Sequence, residues 1–195
     1  MPKLIDHDRR QQDIAEAVWR VILRDGVSAV SVRDVAAEAG LSSGSLRHVF
    51  ASKADLLAYS MRLVHDRARA RVLAHAAVED PRERALAMLD EFLPLDDQRR
   101  CEMEVSLALV AEAPAHPRLR EIALAAQRDL RAGCLAVLTG LLRAGLLAPS
   151  RDVEAEAIRL HAIIDGAAMH ALLGETDTPD SARRLVADHL DGLTS

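Results

Sequence analysis

The residues with the sharpest chemical meaning lie between Ser31 and Lys53. Ser31, Arg33, Ser43, Gly44, Ser45, Arg47, His48 and Lys53 bring hydroxyls, one bare backbone position and four basic side chains into a short span. Hydroxyls and bases hydrogen-bond phosphate, and an arginine can also grip a guanine edge with two parallel bonds. Ser42, Ser43 and Ser45 gather where a short helix should begin, and the unpaired N–H groups and dipole of a helix start favour phosphate. Arg47 leaves two readings open, a base edge or a phosphate. The plain alternative for Arg33 and Arg47 is a solvated surface charge. His48 touches phosphate or nothing.

A second set lies further along. His161 and Asp165 are four residues apart and share a helix face. A metal or effector site competes there with an ordinary hydrogen-bonded pair near a subunit interface, which is the favoured reading. No HExxH or CxxC pattern accompanies them, and no metal or cofactor is expected. Cys101 and Cys134 are too few for a disulfide scaffold or a zinc site, and they read as helix-packing thiols rather than a redox sensor. Met88, Phe92, Met103 and Leu107 recur at helical spacing. They are either plain core or, with Asp165, the lining of an effector pocket.

All these groups need elements to hold them, and the apolar spacing is helical nearly everywhere. It predicts an all-α chain of about nine helices: 8–25, 32–39, 43–49, 53–76, 81–94, 97–112, 118–145, 152–173 and 179–193. Ile14, Val18, Val21 and Ile22 mark the buried face of the first. Gly26 sits where a C-terminal cap glycine belongs. Ser31 is the natural N-cap of the second helix, with Asp34 three residues on as an acidic variant of the capping box. Gly40 stops that helix and Ser42 caps the third. Val32, Val35 and Ala36 supply the second helix's buried face, while Leu41, Leu46 and Phe50 should pack under the third. Two short helices joined by a glycine turn form a helix-turn-helix. The expected division is a helix-turn-helix domain over 1–55 and a helical domain over 56–195.

Composition narrows the classes. The chain has 195 residues, half of them apolar, and a formal charge of −5. That suits a folded domain or two, not a disordered chain. No apolar run is long enough for a membrane span and MPKLIDHDRR has no signal-peptide core, so the expected compartment is the cytoplasm. Residues 1–55 carry eight bases and eight acids, so net charge alone does not point to nucleic acid. An all-helical enzyme is one rival reading and a protein-interaction scaffold another. Asp90-Glu91 and Asp96-Asp97 do not converge as metal carboxylates, because adjacent residues point to different helix faces. No P-loop, nucleophile elbow or dinucleotide fingerprint is present.

The segment from about residue 10 to 60 resembles the TetR family of transcriptional regulators. The resemblance rests on Ala17, Gly26, Ser31-Val-Arg-Asp-Val-Ala, Ala39-Gly40-Leu-Ser, Gly44-Ser-Leu and Phe50-x-Ser-Lys53-x-x-Leu56-Leu57. Pro117-x-Leu119, Arg143-Ala-Gly-Leu-Leu, Arg159-Leu-His-x-Ile-Ile-Asp-Gly166 and His170 more weakly resemble the BetI-like subgroup. The resemblance implies a homodimer that binds palindromic operator DNA through its N-terminal domain and is released by a small molecule bound in its C-terminal domain. It places Arg33 and Lys53 at DNA-contacting positions, and it puts Arg47 where many members carry a backbone-touching tyrosine. Dimerisation is expected through the eighth helix (Ile158, His161, Ala162, Asp165, Ala168, Met169, Leu172) and the ninth (Leu185, Val186, His189, Leu190, Leu193). The fourth helix is the expected lever between the domains. The BetI-like likeness suggests choline, but after residue 60 Phe92 is the one aromatic residue. An aromatic cage for quaternary ammonium is hard to build from it, so the expected effector is apolar or weakly polar.

Overall fold

The structure is a computed structural model that describes residues 2–174 and 178–194. Among these residues there are nine α-helices and no strand. They are α1 (Pro2–Asp25), α2 (Val32–Glu38), α3 (Ser43–Val49), α4 (Lys53–Ala74), α5 (Pro81–Asp90), α6 (Asp97–Glu112), α7 (Pro117–Arg143), α8 (Val153–Leu173) and α9 (Pro179–Asp191). None of them is long and apolar enough to cross a membrane. The contacts form two compact units, Met1–Asp66 with Cys101–Leu124, and Arg67–Arg100 with Ala125–Ser195. The first therefore holds more than the N-terminal helices, because α6 and the start of α7 belong to it.

The core of the first unit follows from the α1 stripe. Ile14, Val18, Val21 and Ile22 are buried, and Val35, Ala36, Leu46, Phe50, Leu56 and Leu57 complete the same cluster. Trp19 is buried with them and its Nε1–H donates to the Ser60 carbonyl at 3.3 Å. Two glycines make the chain reversals possible. Gly26 (φ +82) and Gly40 (φ +65) lie in the left-handed region, which costs other residues energy. Arg20 and Arg24 donate to the Glu38 carboxylate at 2.7 and 2.9 Å, tying the end of α1 to the end of α2. The hydrogen bonds from Arg24 and then Arg20 hold the Glu38 carboxyl below the usual range.

Helix caps were largely readable from residue type. Ser31 Oγ accepts Asp34 N–H at 3.2 Å, and Ser42 Oγ accepts Ser45 N–H at 3.1 Å. The Asp34 carboxylate, however, bonds the Ser31 hydroxyl instead of closing a reciprocal box on the backbone. Two helix boundaries differ from expectation by more than two residues. Helix α1 starts at Pro2 rather than residue 8. Helix α5 stops at Asp90 rather than 94, four residues before Pro94. Short 3₁₀ turns at Val27–Ala29, His75–Ala77 and Ala113–Ala115 have no sequence period to announce them.

In the second unit α8 and α9 pack on each other. Their meeting faces change the expected dimer surface. His161, Ala168, Leu172, Val186, Leu190 and Leu193 are buried inside the subunit, so a partner cannot reach them. Ile158, Ala162, Asp165, Met169 and Leu185 stay exposed. Thr178 and Ser181 close a reciprocal capping box at the start of α9.

The same unit holds a buried ionic knot. The Glu91 side chain is 8% exposed, and Arg71 Nε and His75 Nε2 lie 2.6 and 2.9 Å from its oxygens, with Arg99 Nη1 at 3.6 Å. Loss of water alone would raise the Glu91 pKa. The hydrogen bonds from His75 and Arg71, with the charge of Arg99, outweigh that and hold it below the usual value. A depressed carboxyl stabilises the fold above its unfolded pKa of about 4.3, and that contribution fades as pH falls through the folded value. Glu91→Gln should therefore be destabilised relative to wild type at pH 7, by about 2–3 kcal/mol. Urea melts should show that gap shrinking between pH 5 and pH 3, and a pH-independent gap would contradict the charge-based account.

Candidate nucleic-acid interface

Helix α3 has only seven residues, so its position is set from beneath. Leu46 is fully buried, Phe50 follows at the C-cap, and Leu41 and Val49 pack partly against the same core. The Phe50 and Tyr59 rings meet at 5.2 Å between centroids with their planes tilted by 56°, which helps hold the exit into α4. With Leu46 pointing in, Gly44, Arg47 and His48 point out, because positions three and four apart share a face.

Some bases of the first unit are paired and others are free. Arg20 and Arg24 are tied to Glu38, and Arg118 pairs with Asp55. Arg33, Arg47 and His48 are exposed, and among the described residues none has a side-chain partner. The unit thus presents free positive groups on α2 and α3 although its formal charge is not basic. The hydroxyls are less free. Ser42 caps α3 and its oxygen also bonds Ser45 Oγ at 3.1 Å, so the Ser45 hydroxyl is engaged inside the turn. Ser31 is engaged with Asp34, and Ser43 is half-buried.

Lys53 does more than its sequence position suggested. Its Nζ donates to the carbonyls of Val27 and Ser28 at 3.2 and 3.3 Å, so it clamps the turn before α2 while remaining exposed. Nothing in the spacing of residues 27 and 53 announced this. Two neighbouring features do have a signal or lack one. Ser52-x-x-Asp55 is a capping pattern, and Ser52 Oγ does accept Asp55 N–H at 3.1 Å. Arg118 reaching Asp55 joins residues too far apart for any local pattern.

The other candidates are placed separately. Met88 and Phe92 are half-buried in the second unit, and Met103 and Leu107 are half-buried in the first. His161 is buried, and its Nε2 lies 3.3 Å from Asp165 Oδ2 without the alignment of a hydrogen bond. Asp165 itself is exposed on α8. Burial, and then the Asp165 charge, push the Cys134 thiol up to about 12, which leaves it protonated and inert. Among the described residues no group of three or more His, Cys, Asp or Glu side chains is arranged to hold a metal ion.

Comparison with known proteins agrees with this geometry. The family profile of bacterial regulatory proteins, tetR family, matches residues 14–59, and that of the BetI-type transcriptional repressor C-terminal domain matches residues 81–195. The HTH-type transcriptional regulator PksA of Bacillus subtilis (strain 168) is 37% identical over 196 residues, covering 99% of this chain and 94% of that protein. The HTH-type transcriptional regulator BetI of Agrobacterium fabrum is 30% identical, covering 98% and 91%. Among solved structures, a transcriptional regulator from Saccharomonospora viridis in complex with choline superposes with a TM-score of 0.85 at 27% identity, covering 94% of this chain and 96% of that one.

Arg47→Ala should separate the two roles open to Arg47. Base readout predicts a cost of about 1–3 kcal/mol and relaxed specificity at one position. A phosphate contact predicts an even loss on all sequences and a salt slope smaller by about one. Lys53→Ala should follow the second pattern. Fluorescence-anisotropy titrations at several salt concentrations distinguish these outcomes, and unchanged binding by the Arg47/Lys53 double alanine variant would remove both residues from the interface.

Proposed function

Because the chain belongs to the TetR family of transcriptional regulators, we propose that it is a cytoplasmic repressor that binds a palindromic operator as a homodimer and is released by a small molecule. It is a DNA-binding regulator and not an enzyme. The exposed, unpartnered Arg33, Arg47 and His48 on α2 and α3 carry the DNA part of this reading. Ser31, Ser43, Gly44, Ser45 and Lys53 complete the proposed contact surface, with the serines acting mainly as the frame that orders the turn. A gel shift of the full chain on the DNA upstream of its own gene tests it directly, and loss of the shifted band in the Arg47/Lys53 double variant is the expected control.

The proposed dimer contact is the outer face of α8 and α9. Ile158 is 49% exposed and Leu185 50%, and Ala162 and Met169 continue the same stripe. Large apolar side chains on successive turns of one helix are better covered than solvated, and a two-fold axis would bring two such faces together. Light scattering at micromolar concentration should show a dimer for wild type and a monomer for the Ile158→Asp/Leu185→Asp double variant. A wild-type monomer would overturn the assignment.

The proposed effector is apolar or weakly polar. Met88, Phe92 and Asp165 of the second unit remain side chains proposed to meet it, whereas Met103 and Leu107 lie in the first unit. The relative solved with choline favours choline as a second reading. Against it stands the aromatic composition, since Phe92 is the one ring after residue 60, and a quaternary ammonium is best held over several ring faces. Calorimetric titration with choline should give no saturable heat at millimolar concentration. Saturable binding that also weakens operator affinity would establish the second reading, because an effector and its operator must affect each other's binding by one common factor.

A further inference from the structure

Gly44 is a glycine that the fold itself does not need. Among the described residues the glycines with a left-handed backbone are Gly26, Gly40 and Gly145, so Gly44 uses a conformation open to any residue. A Cβ built on it would meet only Ser42 Oγ, at 3.8 Å, which is ordinary van der Waals contact. The position is exposed, so no buried neighbour would be displaced. Glycine is also among the weakest helix formers, and α3 has just seven residues over which to share that weakness. Among the described residues no contact and no backbone conformation requires glycine at this position. Its neighbours on the surface give the reason a direction. Arg47 and His48, three and four residues on, lie on the same outward face of α3, exposed and without partners among the described residues.

We propose that Gly44 is a clearance position, kept without a side chain so that the sugar–phosphate wall of duplex DNA can close on the outer face of α3. This rests on the DNA-binding reading above. A methyl group at 44 would hold the duplex away by its own thickness. The contacts of Arg47 and its neighbours would then stretch past the roughly 2.7–3.2 Å in which hydrogen bonds are strong. The glycine acts by absence and carries no sequence information, so its effect should be the same on every duplex.

The test exploits two effects of opposite sign. The probe is a duplex selected from a randomised pool by the wild-type full chain, with an unrelated duplex at low salt beside it. Gly44→Ala should raise the thermal midpoint by about 1–4 °C and weaken binding to both duplexes at least about tenfold, a cost of about 1.4 kcal/mol. Gly133→Ala is the control. Gly133 is also exposed, also lies within a helix and has nothing within 4 Å of a built Cβ, so this variant should be stabilised and bind as wild type does. Binding by Gly44→Ala within twofold of wild type, while Arg47→Ala binds poorly, would overturn the clearance role and leave the DNA reading intact. A lowered thermal midpoint for Gly44→Ala would overturn it as well, by making the glycine structural. A loss confined to the selected duplex would replace the sugar–phosphate wall with a base edge and so overturn the assignment. Failure of the wild type to select any duplex would take away the DNA reading itself.

Discussion

A helix of seven residues does not stand by itself in water, because so few internal hydrogen bonds cannot offset the cost of nucleating it. Helix α3 exists because Leu46 and Phe50 are buried beneath it and because Ser42 holds its first turn. Everything the molecule can do with DNA depends on that anchoring. With Leu46 fixed inward, the rotation of α3 about its axis is set, and so is the direction in which Arg47 and His48 leave the surface. The α1 stripe, Trp19 and the glycine turns matter chiefly because they make the floor on which Leu46 rests.

Charge in the first unit is arranged by pairing rather than by quantity. Acids at 38 and 55 occupy three arginines, Arg20, Arg24 and Arg118. Among the described residues Arg33 on α2 and Arg47 and His48 on α3 stay unpaired, as do Arg9 and Arg10 on α1, Arg62 on α4 and Arg120 on α7. The second unit uses ion pairs differently. Arg82 grips Asp191 with two nitrogens and Arg183 holds Asp90, tying α5 to α9 across the surface. Exposed pairs of this kind contribute little stability individually, whereas Glu91 stands among its cations out of water and cannot lose them cheaply.

The helix-turn-helix was legible because each of its parts depends on local residue type: a serine cap, a glycine turn, an apolar residue every three or four positions. The nine helices and their order were legible for the same reason. What stayed hidden was set by distance along the chain or by the lack of any apolar face. The first turn and a half of α1, before residue 8, lies ahead of the apolar stripe that begins at Ile14, so no period marked it. Which bases would be free could not be read from a balanced count, since Glu38 and Asp55 choose partners up to 63 residues away. The α8 and α9 faces were visible as apolar stripes. Only packing decides which residues of a stripe turn inward, and here His161, Ala168, Leu172, Val186, Leu190 and Leu193 did.

Lys53 shows what an internal hydrogen bond means for an encounter with another molecule. A lysine on an open surface samples many rotamers, and pinning its long chain on binding costs up to about 2 kcal/mol in lost freedom. Here two carbonyls already hold the ammonium in place. Its remaining N–H can meet a phosphate without any further ordering of the side chain. In the proposed DNA contact the entropic penalty was met when the protein folded, which would make the lysine a fixed reference point for the duplex, whatever its sequence.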